Sequence, residues 1–326
     1  MIKIGLLGAG HLGKIHLKLL KTISDFEVVG FYDSDSEVRN KVSSEFSVPA
    51  FLDYDTLLAQ VDAVDIVIPT ISHYEYARKA VREYKHIFIE KPLTQTTDEG
   101  KRLATLVKEA GIKAQVGHVE RFNPAFLAIK DECTQPMFIE GHRLAQWNPR
   151  GTDVSVVLDL MIHDIDLVLS VVKSTVKRIM ASGVAIVSST PDIANARIEF
   201  TNGCVANLTA SRISLKNMRK MRFFQKNAYI SVDFLDKKSE IVSLIDPEQT
   251  TTPEQIRFDF EVAEQKKSLL FSQPQVESVN SIQLELQTFA NCIKNDTDPV
   301  VTIEQAYQAL MTAQMVIEKM PSNLTF

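Results

Sequence analysis

Three polar side chains lie at helical spacing in a segment that is otherwise apolar. Asp159, His163 and Asp166 are four and three residues apart, and an α-helix brings residues at this spacing to one face. A histidine with a carboxylate one turn earlier is typical of an oriented general base. Because buried polar groups need partners, the stripe indicates either a structural network or contacts with a substrate. We expect no metal, since no further ligand is evident, and we expect Asp164 to be solvated or salt-bridged.

A second group of residues with chemical potential is Glu90-Lys91-Pro92, which directly follows a short apolar run. Ligands of open α/β sheets gather at the carboxyl ends of the strands, so Lys91 is expected to point toward a ligand bound there. Pro92 restricts the turn and argues against a mobile lysine. The alternative is an ordinary surface lysine at the end of a strand.

A glycine motif, Gly8-Ala9-Gly10-His11-Leu12-Gly13, lies between a predicted strand and a predicted helix. Such glycines allow a tight turn, close approach of a pyrophosphate, and close packing of helix on strand. Asp33 lies 20 residues after Gly13, where a carboxylate binds the ribose hydroxyls of NAD and repels the extra phosphate of NADP. A P-loop is excluded because Ile15 replaces the required Ser or Thr. We therefore predict NAD, with NADP less favoured.

The elements that position these motifs alternate over roughly the first 120 residues. Short apolar runs without internal alternation are typical of strands buried on both faces. The predicted strands are Ile2–Leu7, Val28–Tyr32, Ala63–Ile68, His86–Ile89 and Lys113–Gly117, and the predicted helices are 11–22, 35–46, 54–60, 74–84 and 97–110. The strand–helix–strand order predicts an α/β fold that begins with a Rossmann-like, doubly wound parallel sheet.

After Phe122 the pattern changes to successive β-rich runs. The predicted strands are 137–145, 175–186, 193–200, 204–211, 218–224, 228–234, 239–245 and 256–262, and the predicted helices are 123–132, 155–172, 276–294 and 303–319. Several runs meet at turn signals, so we expect a large, mainly antiparallel open sheet in an α+β domain. The predicted division is an NAD-binding Rossmann domain at 1–121 and a substrate-binding and oligomerisation domain at 122–326.

Composition narrows the class of protein. The 326 residues carry 36 basic and 41 acidic side chains, a net charge of −5, so a nucleic-acid partner is not expected. The most apolar long window, 154–172, contains four ionisable groups, which predicts a buried helix and no membrane partner. Three widely spaced cysteines fit a reducing compartment. We expect a cytoplasmic protein.

Two weaker features are a basic run and a polar cluster at the predicted domain boundary. The run places six cations and no acid in 15 residues: Arg212, Lys216, Arg219, Lys220, Arg222 and Lys226. A solvated strand face or interface is the favoured interpretation, and an anion pocket is the alternative. The boundary cluster, His118, Glu120, Arg121 and Asn123, is expected at a cleft, although a hinge would also explain it.

Together with Pro69 to His73 and Gly117 to Pro124, these motifs resemble the glucose–fructose oxidoreductase, inositol dehydrogenase and rhizopine catabolism (Gfo/Idh/MocA) family. The resemblance covers essentially the whole chain. It implies a Rossmann domain and an α/β domain whose open sheet packs against another subunit, hence a homodimer or homotetramer. It also implies a cis peptide before Pro92.

The resemblance further implies oxidation of a secondary sugar hydroxyl with hydride transfer to the nicotinamide. His163 would take the hydroxyl proton, or pass it on with Asp159, and Lys91 would orient the hydroxyl and stabilise developing negative charge. The implied cofactor-binding residues are Gly8, Gly10, His11, Leu12, Gly13, Asp33, Pro69, His73, Glu90 and Lys91. The implied substrate-binding residues are Lys91, His118, Arg121, Asn123, Asp159, His163 and Arg212.

The chain departs from the common family pattern around the catalytic aspartate. Asp153–Leu158 and Met161 replace a glycine-rich stretch and a later glycine. This variant is similar to a bacterial subgroup that oxidises UDP-N-acetylglucosamine at C3, which implies a nucleotide-sugar substrate and makes Arg212 the first candidate for a diphosphate contact. Three alternatives stay open: a dehydrogenase of a free sugar or inositol, a catalytically silent sugar or NAD sensor, and a reductase of a bilin or imine.

Overall fold

The computed structural model describes residues 1–148, 154–249, 256–263 and 265–320. The chain forms two compact units. The first consists of Met1–Phe122 and Val279–Met311, and the second of Asn123–Ser278 and the segment that begins at Thr312. The chain thus passes into the second unit one residue after the boundary expected from the sequence, and residues 279–311 return to the first.

The first unit is built on a five-stranded parallel sheet in the order β2-β1-β3-β4-β5. Its strands are β1 (Ile2–Leu7), β2 (Phe26–Tyr32), β3 (Ala63–Ile66), β4 (His86–Glu90) and β5 (Ala114–Gly117). Its first five helices are α1 (His11–Leu20), α2 (Ser36–Phe46), α3 (Tyr54–Leu58), α4 (His73–Arg82) and α5 (Thr97–Ala110). The predicted doubly wound sheet is confirmed, and its strand order reverses at β1 and β3, where ligands of such sheets bind.

The strands form because their apolar side chains are covered on both faces. Ile4, Leu6 and Ile89 have no exposed surface, as expected for a parallel sheet between helices. A late helix also enters this core: Phe289, from Ser281–Asn295 (α8 below), packs with its ring centroid 5.9 Å from that of Phe88. Burial of these large rings fixes the sheet that carries the glycine turn at its edge.

The second unit is built on a nine-stranded sheet in the order β13-β14-β12-β11-β10-β6-β9-β8-β7. Its strands are β6 (Phe138–Leu144), β7 (Val176–Val184), β8 (Ile193–Phe200), β9 (Val205–Ser211), β10 (Met218–Gln225), β11 (Ala228–Asp233), β12 (Lys238–Ile245), β13 (Ile256–Val262) and β14 (Gln265–Ser272). The remaining helices are α6 (Pro124–Leu127), α7 (Ile162–Val171), α8 (Ser281–Asn295) and α9 (Ile303–Lys319). Within the described part of this nine-stranded sheet, only β6 and β9 pair in parallel, which confirms the predicted mainly antiparallel sheet.

Three sequence-based predictions differ from the structure. The expected helix 123–132 is only α6, because its later hydrogen bonds, such as Ile129 to Phe126, span three residues and form turns. The expected helix 155–172 is a π-helical turn, Val157–Met161, followed by α7. Strand β14 was not expected, because Lys266 and Lys267 interrupt its apolar pattern.

No helix within the described ranges is long and apolar enough to cross a membrane. The same ranges contain no group of three or more His, Cys, Asp or Glu residues that could hold a metal ion. Cys133, Cys204 and Cys292 are buried and free.

Candidate functional site

The glycine turn between β1 and α1 has a backbone that only glycine can adopt. Gly8 has φ of +90°, and a Cβ there would overlap the carbonyl oxygen of Val67. A Cβ at Gly13 would overlap the carbonyl oxygen of Gly8. A Cβ at Gly10, in contrast, would meet no atom within 4 Å. The turn is therefore tight on its protein side and open above Gly10, as a backbone cradle for a ligand requires.

Helix α1 begins at His11 directly after this open position. Gly10 is its N-cap and provides no side chain to bind the first amide N–H groups. These N–H groups carry the positive end of the helix dipole, so they suit the pyrophosphate of a dinucleotide. His11 and Leu12 are exposed in this first turn.

Asp33 follows β2 and is held by two backbone amides. Its Oδ2 accepts a hydrogen bond from Ala9 N at 2.8 Å, and its Oδ1 accepts one from Asp35 N at 2.9 Å. Arg39 donates to the carbonyl oxygens of Asp33 and Ser34 at 2.6 and 3.2 Å. Each carboxylate oxygen still has a lone pair to offer, so the group can accept hydrogen bonds from ribose hydroxyls.

These residues border a cavity of about 410 Å³. Its lining comprises Leu7, Gly8, Gly10, Tyr32, Asp33, Ser34, Asp35, Val38, Val67, Ile68, Pro69, Ser72 and Tyr76. The volume lies within the range of small-molecule sites, and the lining combines apolar walls with a carboxylate and open backbone. The arrangement fits the adenosine half of NAD, with the ribose at Asp33 and the pyrophosphate near Gly10.

His73, which the family resemblance implies is a cofactor contact, is buried against backbone. Its Nδ1 lies 3.0 Å from Pro92 O, and its Nε2 lies 2.8 Å from Ile68 O. Burial lowers the pKa of this imidazole despite the two carbonyl groups. His73 thus links the segment before Pro69 to the turn at Lys91–Pro92, where the peptide is cis as the resemblance implies.

A buried charged cluster, which was not predicted from the sequence, lies next to this turn. His16 of α1 lies between Asp65 of β3 and Glu90 of β4, with its two ring nitrogens 2.9 and 3.2 Å from their carboxylates. Two signals could have revealed it. His16 falls on the buried face of α1, and Asp65 is the one charged residue in the strand Ala63–Ile66.

In the second unit, the π-helical turn contains Asp159. A π turn closes hydrogen bonds over five residues and shifts the helical phase, so a regular α-helix does not describe the spacing of Asp159 and His163. Both side chains are half-buried, whereas Asp164 and Asp166 are buried. Asp164 forms an ion pair with Arg143 at 2.7 Å. A ligand can thus reach Asp159 and His163, while Asp164 forms its ion pair in the interior.

The boundary cluster divides between the two units. His118 and Glu120 of the first unit are buried, and Arg121 is half-buried in the 3-10 turn Val119–Phe122. Asn123 belongs to the second unit and caps α6: its side chain accepts from Ala125 N and donates to Phe234 O, each at 3.1 Å.

Two cations of the basic run form ion pairs along the sheet. Lys220 bonds Asp233 at 3.0 Å and Arg222 bonds Glu140 at 2.8 Å, both across neighbouring strands. Arg212 is buried and donates to Val154 O at 2.5 Å. It therefore contacts the segment that leads into the π turn. Asp153, at the start of that segment, lies outside the described residues.

Comparison with known proteins gives matches over nearly the whole chain. Residues 2–118 match a family described as "Oxidoreductase family, NAD-binding Rossmann fold", and residues 137–324 match its C-terminal alpha/beta domain. UDP-N-acetylglucosamine 3-dehydrogenase of Acidithiobacillus ferrooxidans is 38% identical over 241 residues, covering 74% of this chain and 76% of that protein. scyllo-Inositol 2-dehydrogenase (NAD(+)) of Bacillus subtilis is 27% identical, covering 92% and 89%.

The solved structures include a similar fold over the full length. UDP-N-acetylglucosamine 3-dehydrogenase GnnA from Acidithiobacillus ferrooxidans superposes with a TM-score of 0.89 and 31% sequence identity. The match covers 100% of this chain and 99% of that one.

Proposed function

Because the chain belongs to the NAD-binding Gfo/Idh/MocA oxidoreductase family, we propose that it oxidises a secondary hydroxyl of a nucleotide sugar, with C3 of UDP-N-acetylglucosamine as the leading reaction. The observation that carries this choice is the 38% identity with a UDP-N-acetylglucosamine 3-dehydrogenase across most of both chains. In this proposal the first unit binds NAD and the second binds the sugar.

The cofactor would be held chiefly by backbone. Asp33 would accept hydrogen bonds from the ribose hydroxyls, and the first amides of α1 would meet the pyrophosphate beside Gly10. The chemistry that a bound NAD supplies is acceptance of a hydride. His73 supports the site indirectly in this proposal, because its ring is engaged by Ile68 O and Pro92 O.

Three side chains would act on the substrate hydroxyl. Lys91, a cation at the carboxyl end of β4, would donate a hydrogen bond to the hydroxyl oxygen and stabilise the negative charge that grows as the proton leaves. His163 would accept that proton, and Asp159 would orient the imidazole and stabilise its charged form. Arg212 is our candidate for a diphosphate contact, and its bond to Val154 O supports a second task, holding the segment before Asp159.

We also propose self-association through the nine-stranded sheet. Strand β13 carries four exposed apolar side chains at alternating positions, Ile256, Phe258, Phe260 and Val262. A row of this kind on one face of a strand is typical of a surface that another subunit covers. Sedimentation at micromolar concentration should give a dimer or tetramer, and a monomer would contradict this part. The three buried free cysteines are compatible with the cytoplasm, where we place the reaction.

The test is the absorbance of NADH after mixing the protein with NAD and UDP-N-acetylglucosamine, beside reactions with NADP, free sugars and inositols. We expect NADH with the nucleotide sugar and none with Lys91→Met. Lys85→Met is the matched control, because Lys85 directly precedes the opposite end of β4.

Each other outcome has a definite meaning. Turnover of free sugars or inositols alone would show that the protein is a dehydrogenase but that a nucleotide sugar is not its substrate. No turnover of any sugar, with NADH still bound, would contradict the proposal and favour a sensor. Full activity of His163→Ala on an imine or bilin would favour a reductase of non-sugar substrates.

A further inference from the structure

Three ionisable side chains lie in a row inside the first unit, joined by one hydrogen bond between His16 and Asp65 and by a close charge contact between His16 and Glu90. His16 Nδ1 lies 2.9 Å from Asp65 Oδ2, and His16 Nε2 lies 3.2 Å from Glu90 Oε1. His16 and Asp65 have no exposed surface, and the Glu90 side chain is 13% exposed. This row of side chains therefore runs from the centre of the sheet to its carboxyl edge.

The row of side chains also contacts the backbone of the proposed catalytic lysine. Lys91 N donates a hydrogen bond to Glu90 Oε2 at 3.2 Å. The two oxygens of Glu90 thus have different tasks, since one faces His16 and the other faces Lys91. A displacement of this carboxylate would be passed to the lysine through its own amide.

Gly117 on β5 completes the enclosure of Glu90. A Cβ built at Gly117 would lie 2.9 Å from the carboxyl carbon and from Oε1 of Glu90, closer than real side chains approach. A larger residue at this position would force the carboxylate away from His16. The glycine therefore provides the space in which the carboxylate sits.

The geometry favours a charged ring at His16. Carboxylates of Asp65 and Glu90 lie 2.9 and 3.2 Å from its two ring nitrogens, and a positive ring is attracted to both. Burial opposes that charge, but the charge and hydrogen bond of Asp65, followed by those of Glu90, raise the pKa of His16 well above its usual value. Complete burial raises the pKa of Asp65 although the positive ring lowers it. Both shifts favour a proton held between the two side chains, and Glu90 also raises the pKa of His73 nearby.

We infer that His16 is a positioning residue, which, held by Asp65, fixes the Glu90 carboxylate and through it the backbone of Lys91. This inference rests on the proposed function, because it takes the role of Lys91 from there. It assigns His16 no contact with substrate or cofactor. A merely structural cluster would stabilise the fold without setting the position of Lys91.

The first experiment compares His16→Gln with His86→Gln. His86 is a matched control because it lies at the opposite end of β4, where its Nδ1 accepts a hydrogen bond from Lys113 N. We expect His16→Gln to lower kcat for the nucleotide sugar about tenfold to a hundredfold, the cost of small misplacement in an active site. The Kd for NADH and the KM for the sugar should change little. An unchanged kcat in a folded variant would overturn the inference.

The second experiment needs no substrate. In protein labelled with ¹⁵N-lysine, the amide of Lys91, assigned with Lys91→Met, should exchange with solvent faster in His16→Gln than in wild type or His86→Gln. Equal protection in all three would overturn the inference whether or not the protein oxidises a sugar. Loss of this protection in a protein that oxidises no sugar would keep the linkage and contradict only the proposed function.

A third measurement guards against a variant that fails to fold. In wild-type protein labelled with ¹⁵N-histidine, the His16 ring should lose its proton at a higher pH than an unperturbed histidine, whose pKa is about 6.5. A His16 ring that loses its proton at or below that pH would overturn the inference, because the two carboxylates would then not hold a charged ring. Asp65→Asn supplies a second variant, which should lower the pH at which this ring loses its proton.

Discussion

The two units hold their proposed functional residues by different physical means. In the first, the cofactor cavity is shaped by backbone: Gly8 adopts a left-handed conformation, and amides of Ala9 and Asp35 bind the Asp33 carboxylate. In the second, Asp159 and His163 project from a π-helical turn and the α-helix after it. Backbone constraints restrict residue type and so leave a motif in the sequence, whereas helix phase depends on packing.

The largest effect is expected in the second unit, from His163→Ala. Without a general base at this position the rate of NAD reduction should fall by about 10²–10⁴-fold. Steady-state kinetics with the nucleotide sugar measure it, and His142→Ala, a half-buried histidine on β6, is the control. A rate equal to that of the control would mean that His163 is not the proton acceptor and that this helix only positions the substrate.

The next effect concerns what holds that helix in place. Arg143→Met leaves Asp164 in α7 without its buried ion-pair partner, which should lower the free energy of unfolding by about 3–5 kcal/mol. Arg78→Met breaks the exposed pair with Glu75 and should cost at most about 1 kcal/mol. Urea denaturation of both variants gives the comparison. Equal losses would show that the second unit does not depend on this side-chain pair.

The third prediction separates two glycines of the cofactor turn. In Gly13→Ala the new methyl group overlaps the backbone at Gly8, so the free energy of unfolding should fall by about 1–3 kcal/mol. In Gly10→Ala the methyl group enters open space, so stability should be nearly unchanged while binding of NADH weakens. Thermal unfolding and a fluorescence titration with NADH distinguish the two. Tight NADH binding by Gly10→Ala would contradict the proposed pyrophosphate position.

The same contrast explains what the sequence could and could not predict. The parallel sheet, its glycine turn and the position of Asp33 follow from apolar runs and glycine spacing, which are local patterns. The π turn at Asp159 was not predicted, because apolar residues surround it on nearly all sides. With no polar face, the sequence does not show where the helical period changes. The link from Asp65 through His16 to Glu90 was not predicted because three separate elements bring these residues together, and no short-range spacing in the sequence indicates their contact.

The smallest effect tests the buried charge in the backbone-shaped unit. The pKa of His16 is raised above its unfolded value of 6.5, so the folded state binds the proton more tightly than the unfolded state. Its contribution to stability is therefore complete below about pH 6.5 and is lost as the pH rises through the higher folded-state value, with a slope of at most about 1.4 kcal/mol per pH unit. The difference in free energy of unfolding between wild type and His16→Gln should accordingly shrink at alkaline pH. A difference that stays constant from pH 6 to pH 10, measured by urea denaturation, would mean that the folded state does not hold a charged His16 ring between the two carboxylates.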